Sequence, residues 1–193
     1  MSDPSWNHLL ARWSSGAPGD SERPATLAFE RIDGERVFEV RSAGAGKPPA
    51  GRTDGWVPFG FRIGYPATAP HPPDAPYLLV VRAVATDADR EDFRRWLAEE
   101  HGPRQATIPG VRWLEAYEEE GTEHSFLNLW GIEDPAIVDG ETWVRVRESP
   151  WWRRVAHVPA GADRGVYRRR EEPVVGQARS VDVVSPRSTG RGQ

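Results

Sequence analysis

Two adjacent acids and a histidine, Glu99, Glu100 and His101, follow the apolar-faced stretch Phe93-Arg94-Arg95-Trp96-Leu97-Ala98 and directly precede Gly102-Pro103. A carboxyl and an imidazole at one helix end can shuttle protons in a cyclisation, isomerisation or decarboxylation. That requires burial to raise the carboxyl, or the imidazole to titrate near neutral pH. A helical step of about 100° per residue places Trp96 near −60° and Leu97 near +40° of Phe93. On that wheel Glu100 falls near −20°, inside the apolar stripe, His101 near +80° at its edge, and Glu99 near −120° toward solvent. Glu100 and His101 are therefore the candidate catalytic pair. A purely structural role competes, because a histidine in the last turn complements the helix dipole and Glu100 can pair with Arg104.

Other candidates lie on the flanking strands. Arg82 shares a face with Leu78, Val80 and Val84, and can bind an anionic substrate group or pair with Glu100. Asn128 shares a face with Phe126, Trp130 and Ile132, and Tyr117 ends the preceding strand. Asn128, Tyr117, Trp96 and Trp130 complete the candidate substrate-binding set, with most of the tryptophans serving core or interface packing. His124 reads as a surface turn residue and His71, between prolines, as a loop residue.

Composition removes several classes of chemistry. With no cysteine the chain has no thiolate nucleophile and no cysteine-held cluster, and its single lysine, Lys47, sits in a Gly/Pro-rich stretch. The five histidines form no His-x-His or His-Glu-x-x-His pair, so no metal is expected. No phosphate-cradling glycine loop occurs, and no cofactor motif of that kind. A net charge of −4 argues against a nucleic-acid partner. No apolar run is long enough for a membrane span, and the start lacks a signal peptide, so a cytoplasmic location is expected. An apolar fraction of 38% with nine tryptophans supports a real core.

The elements that must position these residues fall in three parts. Residues 1–74 read as an N-terminal extension. Within it Trp6, Leu9, Leu10 and Trp13 have helical spacing, Leu27–Ile32 and Arg36–Val40 flank an Asp33-Gly34 hairpin turn, and Pro58 argues against a central strand. A Pro-rich connector follows. Residues 75–171 read as strand, helix, strand, strand, helix, strand. The strands are Tyr77–Val84, Val111–Tyr117, Ser125–Ile132 and a short edge strand, Gly165–Arg170. Thr86 or Asp87 caps the first helix and Gly102-Pro103 ends it; Asp134-Pro135 and Ser149-Pro150 open helical segments. Thr142–Arg147 fits either a helix or a strand. Residues 172–193 have the composition of a disordered tail.

Trp96-Leu97-Ala98-Glu99-Glu100-His101-Gly102-Pro103, then Ile108-Pro109-Gly110-Val111 and later Ser149-Pro150-Trp151-Trp152, resembles the dimeric α/β-barrel superfamily, nearest its EthD-like branch. The resemblance covers roughly residues 77–170. It implies an α+β, ferredoxin-like βαββαβ domain that forms a homodimeric barrel. It also implies a hydrophobic aromatic or polyketide-like small-molecule substrate, handled by cofactor-independent cyclase, isomerase or monooxygenase chemistry. Two alternatives stay open within the same superfamily: a haem-binding barrel enzyme, and a non-catalytic ligand-binding or stress-associated barrel.

Overall fold

A computed structural model of the chain describes residues 8–15, 26–34, 36–43, 55–65, 74–120 and 125–170. Eight strands close into a barrel: β1 (His8–Ser15), β2 (Thr26–Arg31), β3 (Arg36–Ser42), β4 (Val57–Tyr65), β5 (Tyr77–Val84), β6 (Val111–Glu119), β7 (Ser125–Ile132) and β8 (Asp163–Arg169). The order around the barrel is β1-β3-β2-β8-β5-β7-β6-β4, with every neighbouring pair antiparallel.

That order contains a repeat. The second half of the chain gives β8-β5-β7-β6, the ferredoxin-like arrangement expected for it. The first half gives β4-β1-β3-β2, which is the same arrangement shifted by four strands. The two half-sheets join through β2–β8 and β4–β6, so the barrel closes within one chain and needs no partner copy for closure.

Three expectations for the strands are corrected. The helix read from Trp6, Leu9, Leu10 and Trp13 is, from His8 on, strand β1, and Trp6 lies outside the described residues. Leu9 and Ala11 are buried in the barrel core with Trp13 packed against them, a period of two that the helical spacing masked. Pro58 does lie within a strand paired on both sides. Its carbonyl accepts from the Glu120 N–H at 2.9 Å, so its nitrogen faces β6 just where that strand stops and the missing donor costs little. β8 is no edge, since it pairs with β5 on one side and β2 on the other. The Asp33-Gly34 hairpin does join β2 and β3. His71, His124, the 66–73 portion of the connector and the tail lie outside the described residues.

Alternation sorts the side chains to two faces. Leu78, Val80, Leu127, Leu129, Phe29, Phe38, Phe59 and Tyr167 fill the barrel interior, each large side chain contributing about 1.5–3 kcal/mol on burial. Leu79, Val81, Ala83, Leu114, Phe126, Trp130 and Ile132 point outward to the helices. Those helices are α1 (Asp87–Trp96), a π-helical turn (Leu97–His101), α2 (Gly102–Gln105), a 3₁₀ turn (Pro135–Asp139), α3 (Glu141–Arg147), α4 (Pro150–Val155) and α5 (His157–Ala160). Thr86 caps α1 and Ser149 caps α4, as expected. Thr142–Arg147 resolves as helix. Every helix among the described residues lies in the second half, on the outer face of its sheet. None is long and apolar enough to cross a membrane.

Candidate active site

Between the outer face of the second half-sheet and its helices lies a cavity of about 320 Å³. Leu79, Val81, Asn128 and Trp130 form its floor, α1 and the π turn supply Phe93, Trp96, Leu97 and His101, and α3 to α5 close it with Trp143, Arg147, Trp152 and Ala156. The volume is at the small end of the range for ligand pockets. None of the lining residues is a carboxylate. No group of three or more potential metal ligands exists among the described residues.

The π turn decides which side chain reaches this cavity. Gly102 N–H donates to the carbonyl of Leu97, five residues back, so the helix winds less per residue there than an α-helix does. In an α-helix residues 96 and 101 would point about 140° apart. Here they are stacked, with ring centroids 4.1 Å apart and planes at 24°. Trp130 meets the same imidazole edge-on at 6.0 Å. His101 is only 6% exposed, and its ring makes no hydrogen bond with another described residue. Burial first, and then the positive charge of Arg147, hold its pKa down to about 3. The imidazole is therefore neutral near pH 7. It can accept or donate a hydrogen bond, but it does not titrate near neutrality as the sequence reading required.

The same rewinding removes Glu100 from the site. Its carboxylate accepts a hydrogen bond from the Ser149 hydroxyl, which in turn accepts from the Trp152 N–H at 2.8 Å to cap α4. Glu100 thus ties the π turn to a helix N-terminus, and Glu99 pairs in solvent with Arg95 at 2.9 Å. Arg104 donates instead to the Val146 carbonyl at 3.4 Å.

Two other candidates belong to the barrel interior. Arg82 pairs with Glu119 at 3.2 Å rather than with Glu100. Tyr117 is buried in the interior core and donates to Glu115 at 2.6 Å; burial chiefly, and then Glu115, push its phenol well above the ordinary value. Trp96, Asn128, Trp130 and His101 do come together. The face assignment for Asn128 changes, however, because it faces the helices and not the barrel lumen. Its Oδ1 and the indole nitrogens of Trp96 and Trp130 are buried without a partner among the described residues, an uncommon arrangement in a finished core.

Sequence reasoning did not identify Arg147, Trp143 or Trp152 as site residues. Arg147 lies half-buried on the cavity wall, over the Trp152 ring at 5.8 Å, and makes no ion pair among the described residues. Burial and then the neighbouring Arg164 lower its pKa; Arg164 itself reaches Asp139 at 3.4 Å. A signal existed: Trp143 and Arg147 are four apart and share a face once Thr142–Arg147 is read as helix. The α1 segment is held in place independently by buried Glu118, which accepts from Arg62 at 3.0 Å, from Arg94 at 3.0 Å and from Arg90. These three donors outweigh burial and keep the carboxyl below its usual range.

No known family's sequence profile matches the chain, and no curated protein matches it in sequence. Solved structures do resemble it. One is an uncharacterised ferredoxin-fold protein from Listeria monocytogenes related to antibiotic biosynthesis monooxygenases, at 7% identity and TM-score 0.57, covering 86% of this chain and 96% of that one. Another is a haem-degrading enzyme from Listeria monocytogenes, at 6% identity and TM-score 0.53, covering 82% and 98%. A third is an anthrone oxidase-like protein, at 13% identity and TM-score 0.55, covering 85% and 91%. Residues 75–170 are only about half of the chain, so these alignments include strands of the first half as well. The chain has the ferredoxin-like fold of these proteins.

Proposed function

We propose that the cavity between sheet and helices is the active site of a small-molecule enzyme of monooxygenase, cyclase or isomerase type. Its substrate would be a compact planar aromatic, polyketide-like compound bearing an acidic oxygen, handled without a cofactor. The observation that carries this is the make-up of the wall. Aromatic faces surround the space, the polar groups are Asn128 and neutral His101, and the charges are the cations Arg147 and Arg164. Such a wall favours a flat ring with a phenolate, enolate or carboxylate directed at Arg147. Arg147 is half-buried on that wall, so the charge pairing is stronger there than between fully exposed groups.

Each residue then has a distinct part. Trp130, Trp143 and Trp152 hold the ring plane. Arg147 stabilises the anion, while Asn128 Oδ1 and the His101 imidazole each accept a hydrogen bond from a ligand hydroxyl. In an isomerisation or cyclisation the stabilised anion is the intermediate; in monooxygenation it is the electron-rich form that meets dioxygen. The EthD-like resemblance supports this reading, because its Trp96–Pro103 segment contributes Trp96, Leu97 and His101 to the lining. The neutral, unbonded imidazole of His101 also favours a second reading, in which it would hold a haem iron and the haem would supply oxidative chemistry. A Soret band on haem titration that is lost in His101→Ala would select that reading.

The test compares 2-naphthoate with its neutral analogue 2-naphthamide by quenching of tryptophan fluorescence. The acid should bind about tenfold tighter than the amide, and Arg147→Gln should erase the difference. Equal affinities in the wild type would overturn the anion preference. No quenching by either compound at millimolar concentration would overturn the cavity as a ligand site. Turnover of phenolic substrates separates an enzyme from a ligand-binding barrel.

A further inference from the structure

Pro103 leaves one carbonyl of the π turn without a donor. In the π register a carbonyl accepts from the amide five residues on, as Leu97 does from Gly102. The Ala98 carbonyl would then need the amide of residue 103, which is proline and has none. In the α register it would need the amide of Gly102, which is already committed to Leu97. Tyr65, the last residue of β4, takes that place: its hydroxyl donates to the Ala98 carbonyl. Its ring lies against Gly102, where any Cβ would overlap Tyr65 Cε2 and Cδ2. Burial raises the phenol's pKa, so the donor keeps its proton.

We propose that Tyr65 is a positioning residue for the cavity. Its hydroxyl replaces the amide that Pro103 lacks and so holds the π turn in the winding that seats His101 against Trp96. The inference rests on the reading of the cavity as the ligand site. It gives the half-sheet without described helices a part in that site through one hydroxyl. Without that hydroxyl the turn has a part-buried carbonyl to satisfy, and the nearest solution is to rewind toward an α-helix, where Gly102 serves Ala98 and the unserved carbonyl passes to exposed Glu99; that rewinding rotates His101 off the Trp96 ring.

The experiment uses the full chain and two readouts, the affinity for 2-naphthoate and the ring-proton NMR shifts of His101. Those shifts are assigned by their loss in His101→Phe and are displaced by the stacked indole. Tyr65→Phe should weaken naphthoate binding about tenfold and return the His101 shifts toward those of an unstacked imidazole. Pro103→Ala alone should change neither. The double variant Tyr65→Phe/Pro103→Ala regains an amide at position 103 and should restore both readouts. Unchanged His101 shifts in Tyr65→Phe would overturn the inference, as would a double variant no better than Tyr65→Phe. Should Tyr65→Phe not fold, folding of the double variant supports the inference and its failure overturns it. If the wild type does not bind naphthoate the cavity reading fails, whereas the NMR arm still decides the role of Tyr65.

Discussion

His101 carries a pH signature that follows from its burial. Its pKa of about 3 in the fold lies below the ordinary 6.5, so between those values the unfolded chain binds the extra proton. Stability is therefore complete above about pH 6.5 and declines as the pH falls toward 3, by at most about 5 kcal/mol from this one group. Thermal unfolding of His101→Phe should show a flatter dependence than the wild type between pH 6.5 and 5. Glu118, held below its usual range, makes its own contribution only at lower pH. Parallel curves for the two proteins would mean that the imidazole titrates freely in the fold. The sequence made His101 visible by its type and its place before Gly102-Pro103. It could not show the side chain's direction, because phasing at a constant 100° per residue exchanged His101 with Glu100. Arg147 stayed hidden for another reason: its segment fits periods of both 2 and 3.6.

At the scale of elements, the π turn is where helix geometry was least legible and most consequential. Gly102-Pro103 reads as a stop, but α1 already gives way to the π turn at Leu97, and Gly102-Pro103 opens α2 instead of ending the helix. The chain nonetheless continues through the wider turn into α2, because a tyrosine from a distant strand supplies the missing donor. Nothing near Tyr65 in the sequence announces that contact. Gly102 is needed for the same packing, since a Cβ there would also lie 2.8 Å from the Leu97 carbonyl. Gly102→Ala should cost about 1–3 kcal/mol in chemical denaturation and disturb the His101 ring shifts. A loss within about 0.5 kcal/mol with unchanged shifts would show that the ring can move aside. The caps at Thr86 and Ser149 were readable because each is a local residue-to-amide bond, complete within three positions. Strand β1 was not, because Trp6, Leu9, Leu10 and Trp13 satisfy a helical spacing while Leu9, Ala11 and Trp13 satisfy a strand's. Only pairing with β3 and β4 decides between them.

At the scale of the whole molecule, the ferredoxin-like second half was legible because its strands and helices each carry their own period and end signals. Closure of the barrel was not. A resemblance confined to residues 77–170 left the complementary sheet to a second copy, whereas β1 to β4 supply it from the same chain in the same strand order. The described part of that first sheet has no helices, and this asymmetry has a consequence for stoichiometry. A barrel of two helix-bearing halves would offer two equivalent recesses and could couple them. Among the described residues of this one, helices cover only the second half-sheet, and the recess lined by Trp96, His101 and Trp130 lies beneath them. Calorimetric titration with 2-naphthoate should therefore saturate at one equivalent per chain along a simple hyperbola. Two equivalents, or a sigmoidal isotherm, would mean that the first half holds a recess of its own. Evolution of ligand preference at this recess changes walls that all belong to the second half, while the described strands of the first half are free to specialise in holding them.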